Sequence, residues 1–185
     1  MHIRHADPAR DGAACAAVYA PYVTDSVASF EEHPPGAVEM TGRIERVSER
    51  HPWLVAEEDG TLAGYAYACE HRERPAYRWA ADVTVYVARD HHRRGIGRAL
   101  YGALLELLVR QGVQVACAGI TLPNDASVAL HEACGFERIG VYRRIGWKAG
   151  AWRDVGWWEL ELIASIDGTP PEPGAPARLP EPLRL

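Results

Sequence analysis

Apolar residues recur along this chain at two spacings, every second residue and every third to fourth, and the switching between them lays out its elements. His2 to Ala6 suits a short strand. Asp7-Pro8 has the form of an N-cap with proline at the first helical position, opening an alanine-rich helix, Gly12 to Tyr22, that ends near Thr24. Ser26 to Pro35 is a loop that carries Phe30. Met40, Ile44 and Val47 share one face of a second helix, Ala37 to Glu49. Trp53 to Glu57 and Thr61 to Cys69 are strands joined through Glu58-Asp59-Gly60, whose Asp-Gly pair marks a hairpin. Glu70 to Ala76 is a charged loop, and Tyr77 to Val87 a long strand.

The strongest pattern runs from Val83 to Gly112. Val83-Thr84-Val85-Tyr86-Val87 is β-branched and aromatic, as a buried strand should be. A polar loop follows, ending in Gly95-Ile96-Gly97. Ile96, Leu100, Leu104, Leu107 and Leu108 then recur at helical spacing, with Gly112 where a C-terminal cap belongs. Gln114 to Leu122 is another buried strand. Pro123-Asn124-Asp125 starts a short helix, Ala126 to Cys134, closed by Gly135. Phe136 to Ile145 and Val155 to Ile163 are further strands, separated by an aromatic- and glycine-rich loop, Gly146 to Asp154. Pro170, Pro171, Pro173, Pro176, Pro180 and Pro182 crowd the end. Residues 1–165 are therefore expected to form one domain, and residues 166–185 an extended tail, either disordered or laid along a neighbouring surface. The order β, α, α, three β, α, β, α, β, β predicts a mixed sheet with helices on both faces, not a strictly alternating parallel fold.

Composition narrows the function. A chain of 185 residues, 48% hydrophobic and 24% charged, has the material for one domain with a sizeable core. A net charge of −5 argues against a general nucleic-acid binder, while leaving room for a local basic patch at Arg93, Arg94 and Arg98. No apolar run reaches membrane-spanning length and no signal-peptide pattern opens the chain, so cytoplasmic residence is expected. The four cysteines form no C-x-x-C pair and read as small buried thiols rather than zinc ligands; no metal is expected.

The glycine loop is where chemistry first shows. Arg93-Arg94-Gly95-Ile96-Gly97-Arg98 leaves a strand and opens a helix. Free backbone N–H groups, the positive end of the helix dipole and arginine side chains converge there, which suits a pyrophosphate. A Walker loop requires a Gly-Lys-Ser/Thr ending that is missing, and a dinucleotide fingerprint requires a small residue where Leu100 stands.

These residues resemble the acetyl-CoA signature of the GCN5-related N-acetyltransferases. The resemblance is closest to the phosphinothricin acetyltransferase group. It rests on His51-Pro52-Trp53-Leu54-Val55-Ala56-Glu57, Ala76-Tyr77-Arg78-Trp79, Leu122-Pro123-Asn124-Asp125 and Trp152-Arg153-Asp154-Val155-Gly156, and spans about Ile3 to Leu162. It implies a mostly antiparallel central sheet of about seven strands with helices on both faces, an α/β fold. It also implies acetyl transfer from acetyl-CoA to the α-amine of a small amino-acid-like compound such as phosphinothricin, methionine sulfoximine or methionine sulfone, and a homodimer.

Carried over residue by residue, the resemblance gives Val85, Tyr86 and Val87 main-chain contacts with the pantetheine arm. It gives Arg93, Arg94, Gly95, Ile96, Gly97 and Arg98 the pyrophosphate, and Asn124 a contact further along CoA. Asn124 also suits an N-cap. The group's general base is a glutamate at the position of Asp82. An aspartate is one methylene shorter, which favours proton transfer through a water relay; the same carboxylate could instead pair with an arginine such as Arg78. His131 stands where the group has a histidine, a candidate for the leaving thiolate's proton or a satisfied helix residue. Phe30, Tyr77 and Arg78, with Arg72 or Arg74, are candidates for the substrate end, where arginine suits a carboxylate or phosphinate. Acetylation of another amine (a peptide N-terminus, a polyamine, an aminoglycoside) and a CoA-binding module without turnover are the alternatives.

Overall fold

The computed structural model describes residues 1–164, 168–180 and 182–184. Its elements follow as β1 (His2–His5), α1 (Pro8–Thr24), α2 (Ala37–Ser48), β2 (Trp53–Glu58), β3 (Thr61–Glu70), β4 (Ala80–Val87), α3 (Ile96–Gln111), β5 (Val115–Leu122), α4 (Asp125–Ala133), β6 (Glu137–Lys148), β7 (Ala151–Glu161) and β8 (Leu183–Arg184). The strands form one sheet in the order β6-β7-β5-β4-β3-β2-β1-β8. Every neighbouring pair among the described residues is antiparallel except β4 and β5. The mixed, mostly antiparallel sheet expected from the sequence is the one that forms, with β8 of the tail added at one edge.

Both faces of the sheet are covered. Leu100, Tyr101, Leu104, Leu107 and Leu108 of α3 pack on one face against Ile3, Leu54, Ala81, Val83 and Ala116. Cys15, Tyr19 and Val23 of α1 with Met40 and Ile44 of α2 pack on the other, against Trp53, Val55 and Tyr65. Alternate residues of β2 thus feed opposite layers, which is why that strand reads as continuously apolar. Leu104 is fully buried, so truncation to alanine costs about 2–5 kcal/mol. Asp7 caps α1 as expected, its side chain accepting from the N–H groups of Ala9 and Arg10. Buried Asp11 accepts two hydrogen bonds from Arg4, at 2.7 and 2.8 Å, and Glu57 accepts from Arg4 and Arg10, which ties β1, α1 and β2 together.

Two expectations change, and one of two alternatives is selected. The strand predicted from Tyr77 begins at Ala80, because Pro75 starts a 3-10 turn over Pro75–Tyr77. The predicted loop Gly146 to Asp154 is mostly strand. Gly146 pairs with Arg153, Trp147 with Trp152 and Lys148 with Ala151, around a two-residue turn in which Ala149 and Gly150 both have positive φ. The tail lies along the domain: Gly174 exchanges main-chain and side-chain hydrogen bonds with Gln111, Leu179 N–H donates to His5, and Leu183 pairs with Ile3. The boundary expected between residues 165 and 166 lies outside the described residues.

Candidate active site

The site opens where two strands part. β4 and β5 pair through Ala80–Val115, Ala81–Ala116 and Asp82–Cys117, and no further. Beyond that point β4 stays with β3 as far as Val87, while β5 stays with β7 as far as Leu122. The gap is a wedge with Asp82 and Cys117 at its vertex. A cleft of about 710 Å³ runs through it, lined by Val83–Val87, Gly119–Thr121, the loop before α3, α4 and residues 26–28. Its size is that of a ligand site.

The hydrogen-bond pattern of β4 says which main-chain groups the wedge receives. Ala88 N–H donates to Ala63 on β3, and Trp79 C=O accepts from β5. With the alternation of an antiparallel ladder, Thr84 and Tyr86 bond to β3, whereas Val83, Val85 and Val87 present their main-chain groups to the wedge. Val87 C=O already accepts from the Tyr22 hydroxyl at 2.6 Å. Of the expected contacts Val85, Tyr86 and Val87, all line the cleft, but Val85 is the one whose amide and carbonyl are turned into it. The Tyr86 peptide group belongs to the ladder.

The glycine loop behaves as a cradle. Arg93 and Gly95 have φ of 59° and 79°, left-handed values that turn successive N–H groups inward just before α3 begins at Ile96. Arg93, Gly95, Ile96, Gly97 and Arg98 all line the cleft. Gly97 is needed for close approach, since a Cβ there would lie 3.1 Å from Leu130 of α4. Arg93 and Arg98 form no ion pair among the described residues, so cationic charge faces a positive helix end without an anion. Arg94 differs from the expectation. Its guanidinium pairs with Glu58 at 2.8 Å and does not line the cleft. Asn124 does both things expected of it, lining the cleft and capping α4 through Ser127 N–H at 3.2 Å.

At the vertex the Asp82 carboxylate accepts a 2.6 Å hydrogen bond from Nδ1 of His71, a residue the sequence did not single out. Burial raises the Asp82 carboxyl above the usual range, and His71 and Arg72 pull it back. Edge-on rings hold His71: Tyr77 with centroids 5.9 Å away, and Trp157 at 6.0 Å. Trp157 in turn covers Gly119 of the cleft, and Arg72 sits over its indole at 5.7 Å. The Trp157 indole N–H is buried without a partner among the described residues. Arg72, the unpaired indole donor and the Asp82–His71 pair together suit a molecule bearing a carboxylate and an amine. Cys117 Sγ lies within 4.8 Å of the Asp82 and His71 ligand atoms, but burial pushes its thiol up to about 11, which keeps it from acting as a nucleophile.

The other candidates fall in different places. His131 is buried in the cleft wall. Its Nδ1–H donates to Ser127 C=O at 2.7 Å, and its Nε2 accepts from the Tyr101 hydroxyl at 2.9 Å. Burial lowers its pKa, and both its ring nitrogens are hydrogen-bonded. Tyr77 joins the Asp82 centre through His71. Arg78 does not: it pairs with Glu172 of the tail and lies over Trp79. Phe30 covers the β6–β7 hairpin, its ring 2.3 Å from where a Cβ on Gly146 would stand. No periodicity marks His71, which lies in a run of charged residues; only the β3–β4 register, Cys69 opposite Asp82, brings it to the site.

Known proteins agree with this geometry. The Acetyltransferase (GNAT) family matches residues 17–136. A phosphinothricin N-acetyltransferase of Streptomyces viridochromogenes is 42% identical over 168 residues, 91% of this chain and 90% of the relative. An L-methionine sulfoximine/L-methionine sulfone acetyltransferase of Salmonella typhimurium is 33% identical, covering 88% of this chain and 95% of its own. Among solved structures, a phosphinothricin acetyltransferase from Sinorhizobium meliloti in complex with acetyl-CoA superposes with a TM-score of 0.87 at 32% identity, over 92% of each chain.

Proposed function

The chain belongs to the GNAT acetyltransferase family, and from that premise we propose that it moves the acetyl group of acetyl-CoA to the α-amine of a small amino-acid-like substrate of the phosphinothricin or methionine sulfoximine type. The wedge between β4 and β5, with a half-buried acid at its vertex, is the observation that carries the reading.

The fit to acetyl-CoA is local and specific. The inward N–H groups before α3, with Arg93 and Arg98, suit the pyrophosphate. The Val85 main chain suits the pantetheine amides, and Asn124 a contact near them. The thioester then reaches towards the vertex, where the Val85 N–H is the group we assign to the developing oxyanion. Asp82 provides the charge on which deprotonation of the substrate ammonium depends. The amine nitrogen attacks the carbonyl carbon, the C–S bond breaks, and the thiolate takes the remaining proton of the acylated nitrogen. His131 holds the cleft wall through Tyr101 and Ser127 instead of giving that proton. Arg72 and the Trp157 indole N–H are assigned to the substrate's acidic group.

The acidic net charge supports a small-molecule substrate over nucleic acid. Four free cysteines fit a cytoplasmic protein. No helix of the described residues is long and apolar enough to cross a membrane. A homodimer is supported by the exposed apolar side chains of β6 and β7: Tyr142, Ile145, Trp147 and Trp152.

The test is thiol release from acetyl-CoA with phosphinothricin, methionine sulfoximine, methionine sulfone, spermidine, kanamycin and a peptide as acceptors. The amino-acid-like compounds should turn over at least tenfold faster than the rest. Preference for a polycation would overturn the substrate class, and no release with any amine would overturn the enzyme reading.

A further inference from the structure

We propose that His71 is the proton acceptor of this enzyme, with Asp82 as the residue that orients and charges it. The inference rests on the acetyltransferase reading above and deepens it. An aspartate in the place of a longer acid calls for a relay, and the structure has a side chain where a water would otherwise be needed.

Three observations carry it. First, the hydrogen bond between His71 and Asp82 runs through Nδ1 at 2.6 Å. A carboxylate only accepts, so Nδ1 carries the hydrogen and Nε2 is left as the lone-pair nitrogen. No described residue bonds to Nε2. Second, the ring packs edge-to-face with both Tyr77 and Trp157. Trp157 covers Gly119, which lines the cleft, so the imidazole stands one side chain behind the cleft lining, beside the vertex of the wedge. Third, the Asp82 carboxylate is already engaged by the His71 hydrogen bond, whereas Nε2 of the ring can receive a proton directly. The arrangement has the logic of a base whose tautomer and charge are set by the acid behind it.

Nε2 of His71 takes one proton from the substrate R–NH3+, giving R–NH2 and an imidazolium held against the Asp82 carboxylate. The amine nitrogen bonds to the thioester carbon and the C–S bond breaks. The thiolate takes the second proton from that nitrogen, and His71 returns its proton to solvent.

The experiment compares His71→Ala and His71→Gln with the unchanged enzyme, using phosphinothricin as acceptor. Each variant is expected to lose about 100-fold or more in kcat, with the KM for acetyl-CoA within twofold. Glutamine can keep the hydrogen bond to Asp82 but is no base, so a merely structural role would be restored by it. Added imidazole should recover activity in His71→Ala and not in His71→Gln. Acetyl-CoA binding, followed by calorimetry, checks that each variant is folded. Should either acetyl-CoA-binding variant keep kcat within threefold, Asp82 acts without His71 and the proposal is overturned while the acetyltransferase reading stands. Failure of imidazole to restore His71→Ala overturns it as well. A failure of the unchanged enzyme with every amine would instead strike the reading on which it rests.

Discussion

Asp82 is a half-buried acid kept for chemistry at some cost to the fold. Burial raises its pKa in the folded protein, so the folded state gives up its proton less readily than the unfolded chain. Stability from this group is therefore full at low pH and is lost as pH rises through the raised value. Asp82→Asn removes that cost while its side-chain oxygen can still accept from His71. It should melt at an equal or higher temperature at pH 8, yet lose about 100-fold in kcat; a lower melting temperature would show that the charge is structural. His131 makes the opposite case. The sequence offers it as an acid, but Ser127 and Tyr101 occupy both its ring nitrogens, and no sequence pattern tells a satisfied histidine from a free one. His71 escaped notice because its partner, Asp82, is 11 positions away and reaches it only through the β3–β4 register.

The loop before α3 was legible because its information is local. Two glycines, a strand before and a helix after define a cradle without knowledge of any distant contact. What the loop could not reveal is where each arginine turns. Arg94 reaches back to Glu58, at the end of β2, whereas Arg93 and Arg98 stay with the cleft. Arg93→Ala and Arg98→Ala should each raise the KM for acetyl-CoA by about three- to tenfold, the range of a single phosphate ion pair in a partly solvated site. Arg94→Ala should change it by less than twofold. Equal effects of all three, in steady-state kinetics with acetyl-CoA varied, would contradict this division. The wedge itself was not legible. It depends on the β4–β5 ladder stopping after Asp82, and both strands look equally apolar beyond that point. The β6–β7 hairpin was read as a loop because its glycines and tryptophans hid the period of two, although Ala149-Gly150 is a sound two-residue turn.

For the whole molecule, the mixed sheet and the helices on both its faces followed from the sequence, while the strand order did not, and for the tail the prolines predicted extension but left open whether it docks. Titration should be felt across the fold. His5, His51 and His131 are all held neutral by burial, so each contributes stability above about pH 6.5 that is lost as pH falls and the unfolded chain takes up protons. Asp11 and Glu57, with pKa values lowered by Arg4, add a second loss below about pH 4.5. Thermal melting should therefore decline in two stages from pH 7 to pH 3; a flat profile down to pH 5 would contradict the histidine assignment. The exposed β6–β7 face predicts a dimer by analytical ultracentrifugation, dispersed by Trp147→Glu, since Trp147 is 61% exposed in the single chain. Acetylation of an amino-acid amine at the wedge with Asp82 at its vertex is tested most directly by following thiol release from acetyl-CoA with phosphinothricin, with mass spectrometry of the acceptor, for the unchanged enzyme and Asp82→Asn. One acetyl group on the α-amine per thiol released, and a loss of about 100-fold in the variant, is the predicted result; equal rates in the two proteins would contradict it.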